Sequence, residues 1–253
     1  MIHETAIVSK NAKIGKNTKI GPFCIISDDV VIGDSCDLAN GVVIDNGARI
    51  SDNVKIFSYA SISTAPQDLK YAGEKTEVYI GENTVIREFA TINRATTHSW
   101  KTIVGKNCLI MTYCHVAHDC IVGDNVIISN ATQLGGHVTI EDWVTLGGVT
   151  KIHQFCTVGK HSMVGADVKI VKDVPPYTLI GRSPAQVEGI NKVGLKRRGF
   201  SEQTIKQIDK FYFDLIFSGK TSREVLDMYA SNSNSEILDC INFISESKRG
   251  IHR

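Results

Sequence analysis

The apolar positions of this chain recur every sixth residue. Along positions 2, 8, 14 and onward to 170, 26 of the 29 residues are Ile, Val or Leu. The exceptions are Asp68, Glu74 and His98. A period of six fits neither a lone helix at about 3.6 nor a half-buried strand at about 2. A second register reinforces the first. Positions divisible by six are small or β-branched: Ala6, Ala12, Thr18, Cys24, Val30 and Cys36, and later Cys108, Cys114, Cys120, Val126 and Thr132. Each lies two residues before a large aliphatic and shares its face on an extended strand. Turn-favouring residues follow the aliphatic, as in Ile14-Gly15-Lys16-Asn17 and Val122-Gly123-Asp124-Asn125. A strand and a turn every six residues bend the chain into a prism, a β-helix of hexapeptide repeats. With three faces, one coil takes about 18 residues, and residues i and i+18 stack about 4.8 Å apart.

The pattern breaks twice, over 64–77 and roughly 95–101, and then ends. In a solenoid, insertions become surface loops, often at the binding face. The first break carries Asp68, Lys70 and Tyr71 in one short stretch. Period six stops after Ile170 and the segment Asp173-Val174-Pro175-Pro176-Tyr177. From Ser201 the spacing turns helical: Phe200 and Ser201 read as hydrophobic staple and N-cap, with Ile205, Ile208, Phe211, Tyr212, Leu215 and Ile216 on one face and Gly219 at the end. Two more helices are predicted over 221–230 and 235–245. The expected fold is therefore mainly β: a left-handed parallel β-helix over residues 1–185, followed by a small C-terminal α-helical domain over 186–253. The left hand is taken from the resemblance to known hexapeptide proteins, because the general crossover rule favours the right hand.

Charge and cysteine content narrow the function. The net charge is +1, so bulk attraction to nucleic acid or to a membrane surface is not implied. No apolar run reaches the ~18 residues of a transmembrane segment, and no signal peptide is evident, which points to the cytoplasm. Six of the seven cysteines fall in the small inward register, and Cys240 fits a helix, so packing accounts for them better than disulfides or metal.

The polar exceptions stack on one another. Histidines concentrate in His115 to His118, at His137 and at His153. Applying the repeat, His118 stacks on Gly136 and then Gln154, Asp119 stacks on His137, and Gly135 stacks on His153. A carboxylate beside a histidine fixes its tautomer and stabilises imidazolium. A glycine one coil away offers a bare N–H to a developing oxyanion. Metal binding is the rival reading, since carbonic anhydrases of this fold hold zinc with three histidines. The spacing of His115, His118 and His153 does not reproduce their pattern, and no metal is expected. His3 and His161 read as residues without a role in function.

At this point a resemblance becomes specific. The chain resembles the bacterial UDP-N-acetylglucosamine acyltransferases of the first step of lipid A synthesis. The matching segments include Pro66 to Glu74 (Pro-Gln-Asp-Leu-Lys-Tyr-Ala-Gly-Glu), His115 to Cys120 (His-Val-Ala-His-Asp-Cys), Gly136-His137-Val138, His153-Gln154-Phe155 and Gly194 to Ser201 (Gly-Leu-Lys-Arg-Arg-Gly-Phe-Ser). They span both domains. The resemblance implies transfer of a (R)-3-hydroxyacyl group from acyl carrier protein to the 3-hydroxyl of UDP-N-acetylglucosamine, without an acyl-enzyme. His118 is then the general base, Asp119 its orienting partner and Gly136 the oxyanion donor. Asp68, Lys70, His115, His137, His153, Gln154, Asn191, Arg197 and Arg198 are implied near the sugar nucleotide, and Ala166 along the acyl channel. No cofactor is implied, the carrier-protein phosphopantetheine thioester being a substrate. A homotrimer with sites between subunits is implied as well. Two departures stand out: Gly181-Arg182-Ser183-Pro184 replaces a segment that often reads Gly-Asn-His-Ala, and Val193 stands where an acidic residue is frequent. An amide-forming relative acting on a 3-amino sugar nucleotide, a CoA-dependent acetyltransferase and a non-catalytic scaffold remain the alternatives.

Overall fold

The computed structural model describes all 253 residues. Most strands are two residues long, with the second residue an inward aliphatic and the first facing out, often polar, as in the exposed–buried pairs Lys19–Ile20 and Lys55–Ile56. The strands form three sheets of nine, eight and ten members, the faces of a left-handed parallel β-helix. A single cluster of 44 buried residues runs up the axis. All seven cysteines are buried and free.

The pairing register explains why the six-residue phase survives both insertions. Ile7 pairs with Ile25, eighteen residues on. Across the first insertion Ser61 pairs with Thr91, thirty residues on. Across the second, Thr91 pairs with His115, twenty-four on, and His115 then pairs with Gln133 at eighteen again. The insertions therefore add twelve and six residues to one coil. Both are multiples of six, so every inward side chain downstream keeps its face.

Most corners of the prism turn on a residue of positive φ three places after the aliphatic. Asparagine, which tolerates the left-handed region, fills it at Asn17, Asn53 and Asn107. Aromatic residues fill it elsewhere and recover the conformational cost by stacking. Tyr59, Phe89 and Tyr113 form one ladder, with ring centroids 5.4 and 4.9 Å apart.

The sheet extends beyond 185. Strand Gln186–Ile190 folds back antiparallel on Thr178–Gly181, so the helical part begins at Lys192. Four helices follow: α1 (Lys192–Arg197), α2 (Glu202–Tyr212), α3 (Ser222–Tyr229) and α4 (Ser235–Glu246). Ser201 caps α2 as expected, accepting from the Thr204 N–H. The expected run to Gly219 is interrupted, because Phe213–Phe217 widens into a π turn that carries Asp214 inward to the Tyr229 hydroxyl, 2.8 Å away. A separate core of 11 residues holds the helices together. The C-terminal tail returns to the β-helix, where His252 Nε2 accepts from the Val171 and Lys172 N–H groups.

Candidate active site

The corner that follows strand His115–Val116 differs from its neighbours. Asp119 occupies the positive-φ position, with His137 and Phe155 in the same position on the next two coils. His137 stacks flat on Phe155, with centroids 4.3 Å apart at 2°. His118 meets His137 edge-on at 5.1 Å. His118 Nδ1 lies 2.7 Å from Asp119 Oδ2. A carboxylate only accepts, so Nδ1 carries the proton and Nε2 is left as the basic nitrogen.

Gly136 lies against the opposite side of the imidazole. A Cβ built there would sit 2.6 Å from His118 Cε1 and 2.7 Å from Nε2. Gly136 has no positive φ, so the position requires glycine for space rather than for backbone freedom. The Gly136 carbonyl accepts from Phe155, whereas its N–H donates to no backbone acceptor.

Asp119 has a fully buried side chain. Burial alone would push its carboxyl pKa up; hydrogen bonds from Ser99, His118 and Thr96 outweigh that and hold it below the ordinary carboxylate value. Burial depresses both His137 and His115, favouring their neutral forms. His115 Nδ1 lies 2.7 Å from the Thr91 hydroxyl. His118, Asp119 and His137 bring potential metal-ligating atoms within 4.8 Å of one another. An ion there would have to displace hydrogen bonds already made to Asp119.

Both insertions close over this corner. The 64–77 loop is pinned by Asn93, whose amide donates to the Thr64 and Ala65 carbonyls, and by Arg94, whose Nε donates to the Tyr71 hydroxyl. Thr76 Oγ1 donates to the Ala95 carbonyl, tying one loop to the other. Between them lies a cavity of about 330 Å³ lined by Asp68, Lys70, His98, His137 and Phe155 among others. The carboxylate, ammonium and imidazoles suit a polar, hydroxylated ligand.

Comparison with known proteins agrees with this geometry. Residues 173–252 match the family described as UDP-N-acetylglucosamine O-acyltransferase, domain 2, and residues 11–46 and 101–136 match the bacterial transferase hexapeptide family. The chain is 43% identical to the acyl-[acyl-carrier-protein]–UDP-N-acetylglucosamine O-acyltransferase of Thermodesulfovibrio yellowstonii, over all of this chain and 99% of the relative. It superposes on the UDP-N-acetylglucosamine acyltransferase of Bacteroides fragilis with a TM-score of 0.98 at 40% identity, covering both chains fully. For the Francisella novicida enzyme the score is 0.97 at 39% identity, over 100% of this chain and 94% of the other.

The chain belongs to the acyl-[acyl-carrier-protein]–UDP-N-acetylglucosamine O-acyltransferase family.

The expected site residues of this acyltransferase fall on three different corners of the prism. His118, Asp119, Gly136, His137, His153 and Gln154 share the first with Asp68 and Lys70. His153 Nδ1 is 3.3 Å from Arg249 Nη2, reached from the C-terminal tail. Ala166 is exposed on a second corner, between strands Met163–Val164 and Lys169–Ile170. The third corner carries Trp143 and His161. Arg198 reaches it from the end of α1, with its guanidinium over Trp143 and Nη2 donating to the Trp143 carbonyl at 2.8 Å. Arg198 Nη1 is buried without a partner, and Arg197 is exposed. Asn191 is buried, caps α1 through Oδ1 and donates from Nδ2 to the His161 carbonyl at 2.9 Å. These bonds tie the start of the helix to the third corner.

His161, read from the sequence as having no role in function, is packed into this corner. Its ring stacks between Trp143 and Tyr177, and burial, with Arg198 and Lys160 nearby, brings its pKa down to about 4. Aromatic rings one coil apart at the same corner, Trp143 and His161 eighteen residues from each other, were the available signal. Sequence reasoning also missed Thr96, Ser99 and His98. Nothing in the spacing of a loop reveals where it folds.

Proposed function

We propose that the chain transfers a (R)-3-hydroxyacyl group from acyl carrier protein to the 3-hydroxyl of UDP-N-acetylglucosamine, the first step of lipid A synthesis, in the cytoplasm. The observation that carries this reading is the His118–Asp119 pair, seated over Gly136 and in contact with His137 and Thr96, which line a polar cavity. His118 Nε2 takes the proton of the sugar hydroxyl as its oxygen attacks the thioester carbonyl carbon. The carbon–sulfur bond then breaks, and the leaving thiolate takes the proton back from Nε2. The Gly136 N–H donates to the tetrahedral oxyanion, a contribution of about 10²–10³ in rate. Asp119 keeps Nδ1 protonated and stabilises the imidazolium. No metal or prosthetic group takes part.

Asp68, Lys70, His115, His137, His153 and Gln154 surround the glucosamine, while Arg197 and Arg198 bind the diphosphate. The free Nη1 of Arg198 supports this, because a planar donor fork suits phosphate. Ala166 lines the acyl channel and shortens it relative to a glycine. These groups occupy separate corners of one prism, so they meet only where a neighbouring copy supplies some of them. A cyclic homotrimer satisfies that requirement.

The test compares the protein with its His118→Ala variant. Each is incubated with UDP-N-acetylglucosamine and (R)-3-hydroxyacyl carrier proteins of several chain lengths, and products are identified by mass spectrometry. Acylated nucleotide from the parent and a loss of about 10²–10⁴ in the variant is the expected result. Product only with a 3-amino sugar nucleotide would change the acceptor. Equal turnover by both would remove His118 as base.

A further inference from the structure

We propose that Thr96 and Ser99, from the second insertion, are positioning residues that hold the Asp119 carboxylate in the orientation His118 requires. This rests on the reading of His118 as the base.

Asp119 is buried without a lysine or arginine within salt-bridge distance; its only ion-pair candidates are His118 and His137. Burying a carboxylate is strongly unfavourable unless its lone pairs are satisfied. Here the insertion supplies the donors. The Thr96 N–H spans both oxygens at 3.1 and 3.2 Å, and its hydroxyl donates to Oδ2 at 2.8 Å. The Ser99 N–H and hydroxyl donate to Oδ1 at 3.1 and 2.5 Å. His118 Nδ1 completes the set at Oδ2.

The loop is built for this grip. The Thr96 hydroxyl accepts from the His98 N–H, and the Thr96 carbonyl from the Trp100 N–H, so the segment is a closed turn rather than an open excursion. As the chain leaves the loop, Thr102 Oγ1 accepts the Asp119 N–H at 2.9 Å. Backbone and side chain of Asp119 are thus fixed from one seven-residue stretch. With Oδ1 occupied by Ser99, only Oδ2 points to the imidazole, which sets the ring plane over Gly136. The hydroxyls also share the carboxylate charge and moderate how strongly the pair draws a proton.

Thr96→Val with Ser99→Ala removes both hydroxyls and keeps both N–H groups. The expected result is a fall of about 10–100-fold in kcat, as for a misaligned catalytic group, with KM for the nucleotide within about 2-fold. The acid limb of kcat/KM moves to higher pH as the carboxylate charge is less shared. The titratable groups that face Asp119 are His118 and His137, with His98 and Asp68 beyond His137. Thr96→Ser with Ser99→Thr keeps the hydroxyls and should restore both rate and limb. Parent-like kcat and acid limb in the first double variant would overturn the proposal. So would a rate loss that follows a lowered Tm while the limb stays in place. A parent-like double variant beside an inactive His118→Ala overturns only the positioning role. An active His118→Ala removes the base itself.

Discussion

Two kinds of aspartate turn the corners of this prism. Asp34, Asp52, Asp124 and Asp142 sit two places after an inward aliphatic, and each carboxylate receives a backbone N–H from the coil before: Lys16 to Asp34 at 2.6 Å, Asp34 to Asp52 at 2.7 Å, Lys106 to Asp124 at 2.7 Å and Asp124 to Asp142 at 2.8 Å. They are ladder rungs at the surface. Asp119 lies one place further along its turn, at the positive-φ position, and is capped by an insertion. Its acceptors are spent on a loop and on a histidine instead of on the turn of the coil before. On the proposed mechanism, the same side chain on the same scaffold is structural where donors come from the repeat, and chemical where donors come from outside it.

The glycines sharpen that contrast most strongly. At Gly136 a methyl group would strike the His118 ring, whereas at Gly123 it would strike Asp142 Oδ1 at 2.3 Å and the Asp142 backbone nitrogen at 2.9 Å. Gly136→Ala keeps the N–H but pushes the His118 imidazole aside, so it should lower kcat by about 10², the scale of a misplaced catalytic group, with little change in Tm. Gly123→Ala should lower Tm and leave the kcat of the folded fraction unchanged. Activity assays beside thermal melts of the two variants separate these outcomes, and interchangeable effects would break the comparison.

A smaller effect is expected at the third corner. His161 has a folded pKa of about 4, below the ordinary histidine value of ~6.5, so between these limits the unfolded chain binds the extra proton. Its contribution to stability is full above the upper limit and declines as pH falls toward the lower one. Allowing for the ring's partial exposure, the change is about 1 kcal/mol, or about 2–4 °C in Tm. His161→Gln should flatten the Tm–pH curve over that window. An unchanged slope would show that the ladder does not hold the ring neutral.

How far the sequence carried this picture follows from what repeats and what does not. Ile14, Ile32 and Ile50 share one face because they are eighteen apart, and the six-residue step placed Cys108, Cys114 and Cys120 inside. It also stacked His118 on Gly136 and Asp119 on His137, which the Gly136 clash and the shared positive-φ corner bear out. Ser201 was readable as a cap because capping is local. The grip of Ser99 on Asp119 was not, since it depends on the path of a loop with no period. Asn191 and Arg198 were reached only through resemblance. The structure separates them: one is engaged as a cap, and the other is partly free beside Trp143. Strand Gln186–Ile190 escaped because a single antiparallel return at the end of a parallel stack has no repeat to announce it.

The central claim is that Asp119 is chemical and Asp124 is not. The direct test is turnover and Tm of Asp119→Asn and Asp124→Asn, side by side, with UDP-N-acetylglucosamine and (R)-3-hydroxyacyl carrier protein. The account predicts a loss of about 10²–10⁴ in kcat for Asp119→Asn, as when an orienting carboxylate is neutralised, and parent-like kcat with a slightly lowered Tm for Asp124→Asn. Equal kcat in the two variants would contradict it.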